Sequence, residues 1–187
     1  MTLRLDGTKT YLVPFAERHL EDPRYFAWLS DLEVMRFIGR DEYLKPIPFE
    51  SVRQYVRDVW ASPYASFFAV HNQPNDMFIG TAKLNYLDQA GLTHRTADVG
   101  IMIGDRGCWG TGMATDALRT ICRYGFDTLG VRKLTAGAIA GNDAVIKAFL
   151  RIGFIEEGRL RQKVCVAGDY QDHVLLGCLR GELRTGT

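Results

Sequence analysis

No cysteine in this chain of 187 residues stands in a Cys-x-x-Cys pair or at metal-ligand spacing from a histidine. The four present, Cys108, Cys122, Cys165 and Cys178, are scattered. That excludes a zinc ribbon or a disulfide scaffold, implies no bound metal, and suits reduced, mostly buried thiols in a cytoplasmic protein. An excess of charge is also lacking: 23 Lys and Arg stand against 22 Asp and Glu, with no basic or acidic tail. Nothing marks the long phosphate track of a nucleic-acid partner. No apolar run approaches the length of a membrane span. The opening residues, Met1 to Gly7, lack the apolar segment of a signal peptide. Repeats, low-complexity tracts and linkers are absent. What remains is 47% hydrophobic and 24% charged, an ordinary globular composition. It is long enough for one domain, residues 1–187, acting as a monomer or homodimer.

Hydrophobic spacing gives a coarse order of elements. Residues 9–15 read as a strand. Residues 19–38 read as one or two helices, with Asp22-Pro23 as cap and first turn. Residues 45–48, Lys-Pro-Ile-Pro, form an extended breaker, and 50–60 resume helical spacing. Residues 66–71 and 77–87 are strands joined by a turn over 72–76, and 94–103 is a further strand. Residues 110–129 form a helix with Asp116, Thr120, Arg123 and Asp127 on a polar face and Ala114, Leu118, Ile121, Gly125 and Leu129 opposite. Gly130 suits its end. A strand over 132–138, a helix over 142–152 capped by Asn142, and strands over 154–166 and 170–179 complete the chain. Hairpins and crossovers together predict a mixed α/β (α+β) domain.

The most informative stretch is Asp98-Val-Gly-Ile-Met-Ile-Gly-Asp-Arg-Gly-Cys-Trp-Gly-Thr-Gly-Met-Ala-Thr115. A strand runs into a glycine-rich turn that opens directly into an amphipathic helix. Such a turn can aim several backbone N–H groups at one point, and the helix adds its positive dipole end there. A phosphate is the natural occupant, and no lysine is needed inside the turn.

Two segments together resemble the GCN5-related N-acetyltransferase (GNAT) superfamily: Gly107-Cys-Trp-Gly-Thr-Gly-Met-Ala114, and, about thirty residues on, Asn142-Asp-Ala-Val-Ile-Lys-Ala-Phe-Leu-Arg-Ile-Gly-Phe154. Phe78-Ile-Gly-Thr81 and Tyr170-Gln-Asp-His173 also fit. Trp28 to Met35 is similar to the branch of ribosomal-protein N-terminal acetyltransferases (RimJ/RimL-type), which also holds antibiotic, polyamine and amino-sugar acetyltransferases. The resemblance implies a mostly antiparallel sheet of six to seven strands, splayed between two central parallel strands, with helices on both faces. It implies acetyl-CoA as co-substrate in that splay. Ile101, Met102 and Ile103 would pair with the pantetheine arm, and Gly110, Thr111, Gly112, Met113 and Ala114 would wrap the diphosphate. Asn142 and Lys147 would lie along the other wall. Gly107 stands where the superfamily usually has Gln or Arg, and Arg106 is one residue earlier. Val145 and Phe149 stand where relatives carry Ser and Tyr hydroxyls that protonate the departing thiolate.

The implied reaction is direct attack of a neutral amine, a protein N-terminus or a small amine, on the thioester. A backbone N–H near Met102 would stabilise the oxyanion, a contribution of roughly 3 kcal/mol. Asp98 is the candidate base, because alternation places it with Gly100 and Met102 on one strand face. Trp28, Tyr43, Trp109, Asp172 and His173 are candidates for the acceptor side; each also has an ordinary role as core or strand surface. Asp31 and Glu33 could attract a cationic amine or simply be a solvated helix face. Two other classes are carried: a Rossmann dinucleotide site, which would need a carboxylate at the end of the 132–138 strand, and a CoA-binding module without catalysis.

Overall fold

Strand alternation places Leu12, Phe68, Val70, Ala82 and Leu84 on one face of a sheet, where each is at most 2% exposed, and that face carries the larger core. A computed structural model describes residues 3–38, 47–86 and 89–186. Its elements in chain order are β1 (Leu5–Asp6), β2 (Thr10–Pro14), α1 (Glu17–Leu20), α2 (Pro23–Ser30), α3 (Leu32–Met35), α4 (Phe49–Ala61), β3 (Ala65–Asn72), β4 (Phe78–Asn85), α5 (Gln89–His94), β5 (Thr96–Ile103), α6 (Met113–Arg123), β6 (Lys133–Ile139), α7 (Asp143–Arg151), β7 (Ile155–Val166) and β8 (Asp169–Leu179). Tyr43 and the first half of the expected 45–48 breaker lie outside the described residues.

The strands form one eight-stranded sheet in the order β1-β2-β3-β4-β5-β6-β8-β7. This corrects the expected six to seven. The extra strand is the two-residue β1, too short for any periodicity to show. Among the described residues β5 and β6 are the one parallel pair; every other neighbour is antiparallel. That topology excludes the Rossmann alternative, whose sheet is built from parallel βαβ units.

Helices cover both faces. α6 and α7 pack over the larger core, where Leu118, Ile121, Phe126 and Ile152 are at most 2% exposed. Each such side chain contributes about 1.5–3 kcal/mol of burial. α1 to α4 cover the other face of β3 and β4 through Phe15, Leu20, Tyr25, Met35, Val52 and Val56. Asp22 caps α2, its Oδ1 accepting from the Arg24 N–H at 3.0 Å, with Pro23 in the first turn. The 19–38 segment becomes three short helices because Asp31 ends α2 and caps α3, accepting from the Glu33 N–H.

Two further differences have local causes. The expected helix over 110–129 starts at Met113 and passes into a widened π turn, Tyr124–Thr128. There Gly125 lies so near β4 and β6 that a Cβ would stand 3.2 Å from Leu84. The polar face of α6 is solvated only at its far end, at Arg123. Asp116 and Thr120 are 5% and 3% exposed. The Asp116 carboxylate accepts from the Thr8 N–H and hydroxyl, the Lys9 N–H and the Thr10 N–H and hydroxyl, at 2.7–3.0 Å. Burial alone would raise its pKa, but these bonds outweigh burial and hold it below the usual carboxylate value.

Candidate active site

β5 and β6 begin as neighbours and then part. Their ladder runs Thr96–Lys133, Ala97–Leu134 and Asp98–Thr135, and ends there. Beyond it β5 keeps pairing with β4 as far as Ile103, while β6 keeps pairing with β8 as far as Ile139. Five more residues of β5 therefore carry an edge that faces no strand.

Strand parity decides which groups occupy that edge. The Gly104 N–H donates to the Ile79 carbonyl at 2.9 Å. The β4–β5 register is unbroken, so Met102 and Thr81 are also a hydrogen-bonded pair. Both main-chain groups of Met102 thus face β4, and those of Val99, Ile101 and Ile103 face the gap. The main-chain donors near Met102 that face the gap are therefore those of Ile101 and Ile103, not of Met102 itself. Periodicity reveals side-chain faces but not the hydrogen-bonding phase of a ladder, so no sequence signal marks it.

On the side-chain face, Asp98, Gly100 and Met102 align with Lys83 and Thr81 of β4, and Asp98 aligns with Thr135. The Thr135 hydroxyl donates to the Asp98 carboxylate at 3.0 Å. Burial pushes the Asp98 pKa up; the Thr135 bond and the fields of Lys83 and His173 oppose the shift without cancelling it. The Lys83 ammonium donates to the Tyr55 hydroxyl of α4 at 3.0 Å. A Cβ on Gly100 would meet nothing within 4 Å, so the face beside Asp98 is open. The His173 ring lies over Gly137 of β6, where a Cβ would come within 2.6 Å of it. Lys83, Tyr55 and Thr135 were missed in the sequence; a lysine between Ala82 and Leu84 in an apolar strand was the available signal.

The turn after β5 adjoins the gap. Asp105 accepts from the Gly107 N–H, and Thr111 Oγ1 donates to the Cys108 carbonyl at 2.6 Å. Gly110 and Gly112 adopt φ of 74° and 86°, the left-handed region that glycine enters freely. Residues 109–112 form a turn, and among the described residues no hydrogen bond of ordinary length and angle engages the amides of Gly110, Thr111, Gly112, Met113 and Ala114. They open beside the N-terminus of the 11-residue α6, an arrangement suited to an anion.

Other expected residues are placed as follows. Arg106 lies 3.6 Å from Asp31 and near the Trp109 ring. Asn142 Oδ1 accepts from the Val145 N–H as cap of α7, and Lys147 lies 3.7 Å from Asp143 on its exposed side. Asp172 accepts from the Gln162 N–H and lies 3.8 Å from Arg159, holding the bulge of β7. Trp28 is a correction: it is 8% exposed, covers Gly104 and packs on Phe78, so it is core rather than acceptor surface. Phe149 is buried against Phe154. Cys122 and Cys178 are buried, whereas Cys108 and Cys165 are half-buried. Burial and Asp105 raise the Cys108 pKa, the opposite of an activated nucleophile.

A parted parallel pair beside a turn with exposed amides is an arrangement suited to an anionic ligand lying along a strand edge. The chain belongs to the GNAT acetyltransferase family: the Acetyltransferase (GNAT) domain model matches residues 9–155. It is 27% identical over 153 residues to the N-acetyltransferase p20 of Bacillus licheniformis, covering 82% of this chain and 84% of that one. Its fold is similar to spermidine N-acetyltransferase from Vibrio cholerae in complex with CoA and spermine, with a TM-score of 0.81 at 19% identity over 94% and 98% of the two chains. It is also similar to Mycobacterium smegmatis RimJ in complex with CoA-disulfide, with a TM-score of 0.78 at 19% identity over 99% and 90%.

Proposed function

We propose that this protein is a cytoplasmic enzyme that transfers an acetyl group from acetyl-CoA to a primary amine, a protein N-terminus or a small amine, by direct attack within a ternary complex. The observation that carries this reading is the parting of β5 and β6 just past Asp98 and Thr135, beside the amides of residues 110–114. The residues present fit the co-substrate. Gly110, Thr111, Gly112, Met113 and Ala114 offer donors and the dipole end of α6 to a diphosphate. Ile101 and Ile103 offer a strand edge to an amide-bearing arm. Arg106, Gly107, Asn142 and Lys147 border the two ends of that path.

Acetyl-CoA supplies the activated acyl group and a thiolate leaving group. The chain supplies the rest. Asp98 takes a proton from the incoming ammonium, directly or through water. An α-amino group, with pKa about 8, needs less of this help than a lysine-like amine. The amide of Ile101 or Ile103 faces the carbonyl oxygen on which negative charge develops. Lys83, Tyr55, Asp172 and His173 border the acceptor side. No hydroxyl stands at Val145 or Phe149, so water protonates the thiolate.

The test is thiol release from acetyl-CoA against a panel of peptides, polyamines, aminoglycosides and amino-sugar nucleotides. Turnover with one class supports the reading and names the acceptor. Tight CoA binding without turnover on any amine favours a CoA-binding module instead. Absence of CoA binding overturns both.

A further inference from the structure

We infer that Lys9, outside the glycine turn in sequence, is a positioning residue of that turn: by holding the Thr111 carbonyl it aims the Gly112 N–H at the diphosphate. The inference rests on the acetyl-CoA reading given above and extends it to the bend between β1 and β2.

The Lys9 ammonium donates to the Thr111 carbonyl oxygen at 2.6 Å. It would stand 3.3 Å from a Cβ on Gly112. Carbonyl and N–H of a trans peptide point in opposite directions, and no cis peptide occurs among the described residues. Whatever fixes the Thr111 carbonyl therefore fixes the Gly112 N–H the other way. Among the described residues the 111–112 peptide makes no other hydrogen bond. Gly112, at φ 86° and ψ 1°, has no side chain to restrain it. Without the lysine this peptide is free to turn over, and one of the amides of the turn is lost to the ligand.

The lysine is itself held by the helix that the turn begins. Asp116, one turn into α6, accepts from the Lys9 N–H at 3.0 Å and from both flanking residues. The Lys9 carbonyl accepts from the Gln73 N–H at 2.9 Å. The main chain of residue 9 and the start of α6 thus share one rigid frame, across which only the lysine side chain reaches. No described carboxylate neutralises its ammonium; the oxygens of Asp116 bond main-chain and hydroxyl donors instead. A full positive charge is therefore kept beside the turn, and its bond to the carbonyl is charge-assisted.

The test compares wild type, Lys9→Met and Lys9→Arg, with CoA as titrant and acetyl-CoA or S-acetylpantetheine as donor. The pantetheine compound carries the thioester but no diphosphate. Lys9→Met is expected to lower CoA affinity about tenfold, to raise the KM for acetyl-CoA in parallel and to leave kcat nearly unchanged. Its kcat/KM for S-acetylpantetheine is expected to stay within about twofold of wild type. Lys9→Arg, which keeps donor and charge, is expected to restore most of the affinity. Lys9 is exposed, and melting curves verify that both variants fold. Equal CoA affinity in wild type and Lys9→Met overturns the inference. So does a parallel loss with S-acetylpantetheine, which marks a general structural defect. Failure of wild type to bind CoA strikes instead at the acetyl-CoA reading.

Discussion

Thr135 donates a 3.0 Å hydrogen bond to Asp98 at the last rung that joins β5 to β6. One pair thus marks where the two strands stop touching and fixes the carboxylate that faces the opening. The bond lowers the Asp98 pKa and burial raises it, with burial dominant. The group is thereby a stronger base than an exposed aspartate, which favours proton removal from an ammonium.

Asp98→Asn is expected to lower kcat by about 10² or more while CoA affinity stays unchanged. Thiol release and CoA titration measure the two separately. A base acts in its deprotonated form, so kcat/KM falls as pH drops through the Asp98 pKa. Thr135→Val removes the opposing bond and is expected to move that acid limb to higher pH. Normal turnover in Asp98→Asn across the pH range removes Asp98 from the mechanism.

Gly112→Asp is expected to weaken CoA binding by at least about tenfold in a folded protein. The substitution forces a side chain into a left-handed position, with its Cβ 3.3 Å from Lys9 Nζ, and so brings a carboxylate beside that ammonium, where it offsets the charge and repels a diphosphate. Unchanged CoA affinity in the folded variant refutes the assignment of the turn.

Asp116→Ala is expected to cost about 3 kcal/mol, because it strands the buried donors of Thr10 and the part-buried ones of Thr8 and Lys9. Urea denaturation measures this. The folded pKa of Asp116 lies below its unfolded value. The stabilisation is therefore present above roughly pH 4 and lost as pH falls through the folded value. The variant should show less acid sensitivity than wild type.

His19 and His71 supply a second pH dependence of the same sign at higher pH. The Ala16 N–H donates to His19 Nδ1, and His71 Nδ1 lies 2.9 Å from the Asp76 carbonyl. His19 Nε2 lies 3.3 Å from Arg18 Nε, which donates to it, and 3.3 Å from His71 Nε2. Burial first, then the charge of Arg18 and the neighbouring His71, lower the His19 pKa to about 4. The unfolded chain binds a proton at about pH 6.5 that the folded chain refuses. Stability is thus expected to fall by about 2 kcal/mol, allowing for partial solvent screening, as pH drops from about 6.5 to 4. His19→Phe should flatten that part of the profile; an unchanged slope contradicts the assignment.

The glycine turn, α6 and α7 with its Asn142 cap were legible because each is a local pattern: positive-φ glycines, a 3.6-residue period and a capping side chain act within a few residues. Most strands were legible for the same reason, and the two-residue β1 was not, having no period. The shared face of Asp98, Gly100 and Met102 followed from alternation alone. The buried role of Asp116 did not, since a carboxylate on a helix face reads as solvated until the segment that covers it is known.

The amino-acid order alone determined which stretches become strand or helix and where a run of donors gathers, because those choices are made by neighbours along the chain. Tertiary structure decided where β5 leaves β6, which amides of β5 face the opening, and that Lys9 reaches Thr111 across a separation of 102 positions in the chain. Ladder phase, strand divergence and the approach of distant side chains depend on pairing between remote segments. No periodicity within one segment encodes them.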